Sequence, residues 1–164
     1  MRVCGIDPGS LKSGFGIIDR HEATLIAIAY GVIRTDPKTP LAQRLLTIST
    51  RLQELIQTYQ PDEFAVEDVF VAKNAKSSLT LGQARGAVLL TAAQAGLNVA
   101  EYTPLEVKQS VVGYGRADKS QVQQMVKVLL SLQEIPQPDD AADALAVAIC
   151  HHHSMKMCTQ LKGV

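Results

Sequence analysis

The sequence predicts an α/β fold in which a five-stranded mixed sheet, three antiparallel strands plus two parallel ones, carries helices on both faces. Three observations predict it. Three strand-like segments crowd into the first 33 residues with links too short for a helix, the apolar period becomes helical at Leu41, and two further strand-like segments then alternate with helical ones. Residues 2–6 (RVCGI) form the first strand, ending at Asp7, and Pro8-Gly9 turns the chain. Residues 14–19 and 23–33 supply the next two strands as an antiparallel meander.

Leu41, Leu45, Ile48, Leu52 and Leu55 then recur at spacings of four and three, an amphipathic helix that Pro61 stops. Residues 63–67 (EFAVE) are the fourth strand, a second helix fills about 75–95, and residues 97–102 are the fifth strand. Thr103, Pro104 and Glu106 have the pattern of a capped helix start, and Asp118 is the N-cap candidate for a helix carrying Val122, Met125, Val126 and Leu129. The last helix, about 138–151, is apolar nearly all round and therefore buried. Residues 1–153 read as one domain and 154–164 as a flexible tail.

Within this frame, Asp7 and Glu67 end apolar strands, and Asp140 and Asp143 lie in the apolar last helix. A carboxylate removed from water costs several kcal/mol unless a positive charge compensates it. If the fourth strand lies parallel beside the first, Asp7 and Glu67 reach adjacent strand ends. The last helix then adds Asp140 and Asp143, three apart and on one face. Four converging carboxylates point to hard divalent cations, and two Mg²⁺ or Mn²⁺ ions sharing Asp7 as a bridge suit phosphodiester hydrolysis. Taken singly, Asp7 is more readily read as a turn residue, Glu67 carries less weight still, and Asp140 with Asp143 reads equally as solvated acids of a helix start; only their conjunction points to a metal site. Asp139 reads as the cap of the last helix, which leaves Asp140 as the ligand.

Composition sets limits. The 164 residues are 46% apolar and 20% charged, with formal net charge zero, as in a globular protein that folds alone. The charge is unevenly spread. From Phe70 to Leu130, Lys73, Lys76, Arg85, Lys108, Arg116, Lys119 and Lys127 face only Glu101, Glu106 and Asp118, a pattern suited to phosphates. Lys119, at a helix start where a cation opposes the dipole, is better explained by a phosphate partner than by helix stability. No secretory h-region or membrane-length apolar run is evident, so the expected location is the cytoplasm. Cys4, Cys150 and Cys158 form no disulfide framework. The Cys150 to Cys158 stretch with His151, His152 and His153 matches no usual structural zinc spacing, and reads as a solvated helix terminus where charged His complements the dipole. Asp7-Pro8-Gly9 with Gly14 is similar to the phosphate loop of actin-like ATPases, but those need a chain about twice as long.

The stretches GIDPGSLKSGFGIID, VEDVFVAKNAKSSLTLGQARG, VKQSVVGYGRADKSQVQQMV and DDAADALAVAIC, in that order, resemble the RuvC family of bacterial Holliday junction resolvases over essentially the whole chain. The resemblance implies a ribonuclease H-like fold and a Mg²⁺-dependent endonuclease that resolves four-way DNA junctions in recombination and repair. It implies that Asp7, Glu67, Asp140 and Asp143 are the catalytic metal ligands. It further implies that Phe70 inserts between bases at the junction centre, that Lys108 and Lys119 contact DNA near the cut phosphate, and that Lys73 and Asn74 lie in the junction-facing loop. A homodimer working with the RuvA and RuvB branch-migration machinery is implied as well. The second helix, with Gly82, Ala84, Gly86 and Ala87, is the expected dimer contact. The alternatives are a ribonuclease H-type nuclease on RNA–DNA hybrids and a junction-binding module without activity.

Overall fold

In a computed structural model of the protein, residues 1–68 and 74–161 are described, with side chains through Met155. The elements run β1 (Arg2–Asp7), β2 (Lys12–His21), β3 (Thr24–Arg34), α1 (Leu41–Tyr59), β4 (Glu63–Glu67), α2 (Ala75–Gln94), β5 (Asn98–Tyr102), α3 (Pro104–Val112), α4 (Lys119–Leu129) and α5 (Asp139–Leu161). The sheet order is β3-β2-β1-β4-β5. The first three strands form the antiparallel meander, while β4 and β5 add in parallel beside β1. This is the ribonuclease H-like layout.

The period of two along the strands divides the apolar side chains between two cores. Cys4, Ile6, Phe64 and Val66 face α1 and α2, where Ile48, Leu52, Ala84 and Val88 meet them. Val3, Ile18 and Ala65 face the other way, onto Leu145 and Ile149 of α5, with α3 and α4 packed outside. Asp7 follows Val3 at even spacing and Glu67 follows Ala65, so the same alternation directs both acids toward the α5 side.

The helix starts are as the sequence predicts. Thr103 and Glu106 form a capping box at α3, and the Asp118 side chain accepts from the Gln121 amide at 2.9 Å to cap α4. The last helix differs. It begins at Asp139 and continues to Leu161, where the sequence reading stops it at about His151; Met, Lys, Gln and Leu beyond that point are good helix formers, and the next breaker is Gly163. Asp139 is thus the first helical residue and not the cap. The histidine run is likewise not a solvated terminus, because His151 and His152 are buried within α5. His151 Nδ1 lies 2.9 Å from the Tyr102 hydroxyl, and burial pushes His152 down to about 4, so it stays neutral. Cys4 and Cys150 are free and buried. No described helix is long and apolar enough to cross a membrane.

How α5 reaches the sheet decides where its acids lie. Gly5 and Gly16 are register partners across β1 and β2, and Gly14 is the partner of Asp7. A β-carbon on Gly5 would collide with the Ala144 carbonyl and come within 2.7 Å of the Ala148 amide. One on Gly16 would come within 2.8 Å of Leu145, and one on Gly14 would collide with the Asp140 carbonyl. Three glycines therefore form a bare patch on the sheet, onto which the alanine-rich face of α5 settles almost backbone to backbone.

Candidate active site

The four acids come together at one end of the sheet. Ile6 pairs with Val66 in the parallel β1–β4 ladder, so the next residues along, Asp7 and Glu67, leave the sheet side by side. The Gly14 contact sets Asp140 over the strand neighbouring Asp7, and Asp143 follows one helical turn later.

Their acidities register this convergence. Burial, then the charges of Glu67, Asp143 and Asp140, push Asp7 up to about 8. Burial and Asp143 raise Glu67 to about 7, against the opposing pull of Lys108, Lys119 and a hydrogen bond with Asp7. Asp143 is also raised, chiefly by burial, even though Lys119 lies beside it. Carboxyls held this far above their usual range have too little positive charge around them, even with Lys108 and Lys119 nearby, to offset burial and one another.

Glu67, Asp143, Lys108 and Lys119 line a cleft of about 210 Å³, closed at the sides by Val107, Val122 and Ala146. Lys119 Nζ stands 2.9 Å from Asp143 and 3.5 Å from Asp139. Burial alone would lower the Lys119 pKa, but its bond to Asp143 and the neighbouring charges raise it. The sequence argument gave this lysine a phosphate partner; in the structure its side chain folds back over the start of α5 onto the acids. Among the described residues no three His, Cys, Asp or Glu side chains are spaced around one ion position. The donor set nevertheless fits hard divalent cations, since it offers only carboxylate oxygens and a bound cation would bring their raised pKa values down.

The other expected site residues divide. Phe70 and Lys73 lie outside the described residues. Asn74 is the N-cap of α2, its side chain accepting from the Lys76 amide at 2.9 Å. Arg85, counted in the sequence as part of the basic surplus, is only 19% exposed and pairs with Glu101 and, at 3.3 Å, with Asp68. It thereby ties the exit of β4, next to Glu67, to β5 and α2, a role with no local signature because its partners lie in other segments of the chain. The glycine patch was also missed, although Gly14 and Gly16 alternate along one strand and an alanine-rich helix was already recognised. That combination is a readable sign of close helix-to-sheet approach.

The two aspartates at the start of α5 make a direct comparison. Asp139→Asn should leave DNA cleavage within a few-fold and cost at most about 1 kcal/mol, the scale of a first-turn acid on the helix dipole. Asp140→Asn should remove most cleavage. Cleavage assays and thermal melts of the two variants side by side check this, and equal losses of activity would overturn the assignment of Asp140.

A sequence model of the family described as "Crossover junction endodeoxyribonuclease RuvC" matches residues 3–151. Similar curated chains carry the same description. One from Heliobacterium modesticaldum is 57% identical over 155 residues, covering 94% of this chain and 96% of the relative. One from Geobacter sp. strain M21 is 56% identical over 164 residues, covering 100% and 99%. Among solved structures, T. thermophilus RuvC in complex with a Holliday junction substrate superposes with a TM-score of 0.92 at 37% identity, covering 97% of each chain.

Proposed function

Because the chain belongs to the RuvC family of crossover junction endodeoxyribonucleases, we propose that it resolves four-way DNA junctions in recombination and repair by hydrolysing phosphodiesters in the cleft of Glu67, Asp143, Lys108 and Lys119. The observation that carries this reading is the convergence of Asp7, Glu67, Asp140 and Asp143 at one end of the sheet beside Lys108 and Lys119, where burial and mutual repulsion push Asp7 and Glu67 up. Such a site is arranged to receive cations and an anionic substrate together. The junction-bound state of the T. thermophilus relative supports the choice of substrate.

In this proposal Asp7, Glu67, Asp140 and Asp143 hold Mg²⁺, with Mn²⁺ able to substitute, and Asp7 is central because it feels all three other acids. When bound, such ions supply charge neutralisation and activation of the attacking water. Lys108 and Lys119 hold the phosphate from the two sides of the cleft, and the cleft's Val and Ala walls limit water there. Phe70, Lys73 and Asn74 are proposed to meet the junction in the segment between β4 and α2. The nuclease unit is residues 1–153, and its setting is the cytoplasm, beside the RuvA and RuvB machinery.

A homodimer is proposed through the outer face of α2. Leu79 and Leu90 there are 65% and 59% exposed, and nothing lies within 4 Å of where a Gly82 or Gly86 β-carbon would be. Ala84, by contrast, faces the core and is no part of that surface. Leu79→Glu with Leu90→Glu should give a folded monomer, since neither side chain supports the core. Sedimentation or light scattering reads the mass, and an unchanged dimer would place the contact elsewhere.

The overall reading is tested with a synthetic mobile junction and a matched RNA–DNA hybrid, each with Mg²⁺ or with EDTA. Paired cuts in opposed strands of the junction, dependent on Mg²⁺ and well ahead of any hybrid cleavage, are expected. Equal cleavage of the hybrid, or cutting that survives EDTA, would sink it.

A further inference from the structure

We propose that Tyr114 and Arg116, at the tip of the α3–α4 loop, form a second DNA contact beside the acid cleft, the arginine on a backbone phosphate and the tyrosine ring on the adjoining nucleotide. The inference rests on the endonuclease reading above and adds to it a site on the incoming strand.

The loop reads GYGRAD (113–118), and alternate residues in it are fixed. Gly113 ends α3 in the left-handed conformation, φ 93°. Gly115 lies against the Leu105 side chain so closely that a β-carbon would collide with it. Ala117 is buried, 1% exposed. Asp118 turns its carboxylate inward to the Ser120 hydroxyl and the Gln121 amide, at 2.7 and 2.9 Å, so the one acid of the loop is engaged in starting α4. Between these anchors Arg116 stands exposed, and Tyr114 is 47% exposed at the edge of a groove it shares with Val112 and Met125. A held loop that presents an aromatic ring and a guanidinium outward gains little for folding from either, since a tyrosine contributes most when its ring is covered.

Position supplies the ligand. Leu105, on which Gly115 rests, lies three residues before Lys108 on α3, so the loop tip abuts the helix face that carries Lys108 into the cleft. Arg116 lies three residues before Lys119, the other cleft lysine. Arg116 is thus held between Gly115, which is seated on the Lys108-bearing helix, and Lys119 of the cleft. A shallow groove of about 300 Å³ next to Tyr114 is mostly apolar, with Val112 and Met125 in its lining for a sugar or base, and Ser120, Gln121 and Gln124 adding one hydroxyl and two amide side chains. A guanidinium binds phosphate with two parallel hydrogen bonds, and a tyrosine ring stacks on a base of any sequence.

The test is junction binding without cleavage, by fluorescence anisotropy of a labelled synthetic four-way junction in EDTA over a series of KCl concentrations. Arg116→Gln should weaken binding about tenfold at moderate salt and reduce the slope of log affinity against log salt by about one, the signature of one lost phosphate contact. Tyr114→Ala should weaken binding about fivefold with the salt slope unchanged, and Tyr114→Phe should restore it, because stacking needs the ring. Melting temperatures should not move, as both side chains are exposed. Binding by Arg116→Gln within twofold of the parent, with the same slope, overturns the inference while leaving the endonuclease reading intact. Failure of the parent itself to bind the junction overturns both.

Discussion

Replacement of Asp7 by Asn is expected to reduce junction cleavage by at least about a thousandfold, to leave junction binding in place, and to make the protein more stable. The loss of rate follows from the position of Asp7 at the centre of the four acids, where removal of one anionic ligand weakens hold on every cation the site receives. The gain in stability follows from the same crowding. In the folded protein Asp7 and Glu67 keep their protons to about pH 8 and 7, whereas an unfolded chain releases them near 4. The native state therefore binds more protons than the unfolded one across that interval, and stability falls as pH rises through it. Thermal melts of the parent in EDTA should drop by a few degrees between pH 6.5 and 8.5, a window above the range in which buried His152 contributes. Asp7→Asn should melt higher than the parent at pH 8.5, by the few degrees that about 1–2 kcal/mol represents for a chain of this size, and its pH dependence should flatten. Lower stability with activity retained would show that Asp7 serves the fold and not the chemistry.

Gly14→Ala is expected to be nearly as damaging although it changes no charge. The added methyl would occupy the place of the Asp140 carbonyl, so α5 must lift from β2 or the strand must bend. Overpacking against backbone is relieved only by moving an element, at a cost of about 1–3 kcal/mol or more. A shift near 1 Å at Asp140 and Asp143 relative to Asp7 should lower cleavage about a hundredfold. Circular dichroism, melts and single-turnover cleavage together check this. Native-like activity from a folded Gly14→Ala protein would show that the acids tolerate a displaced α5. Gly5→Ala should behave similarly through Ala144 and Ala148, with a larger share of the damage in stability because it lies deeper under the helix.

The parts of the molecule legible in its sequence are those fixed by local chemistry. The spacing of Leu41 to Leu55 set α1, and the pairs Thr103–Glu106 and Asp118–Gln121 mark helix starts whose hydrogen bonds close within three residues. The meeting of Asp7 with Glu67 was legible because strand order after a meander leaves few places for β4, and β1 is the one that makes both acids useful. What escaped depends on contacts between distant segments. Gly5, Gly14 and Gly16 read individually as weaknesses in strands; only the β1–β2 register turns them into a patch. The ion pair of Lys119 with Asp143, 24 residues later, escaped because nothing in the neighbourhood of Lys119 in sequence foretells it; the phosphate role proposed for this lysine is compatible with that pair. Arg85 was counted in the basic surplus because its partners come from elsewhere in the fold, Glu101 from β5 and Asp68 from just beyond β4. The end of α5 was placed too early because a loss of apolar character was taken as a loss of helix, although the residues that follow still favour one.

The direct seating of α5 on bare strand also bears on how such an enzyme can change over generations. With almost no side-chain layer between helix and sheet, the distances among Asp7, Asp140 and Asp143 are set by main chain, which point substitutions elsewhere alter little. The starts and cleft faces of α3 and α4, which bear Lys108 and Lys119, and the loop between these helices carry no part of that seating. They can be lengthened, recharged or exchanged to suit a different DNA architecture while the reactive core passes unchanged into the new protein. The acid constellation is in this sense a fixed cartridge, and substrate preference a replaceable fitting around it.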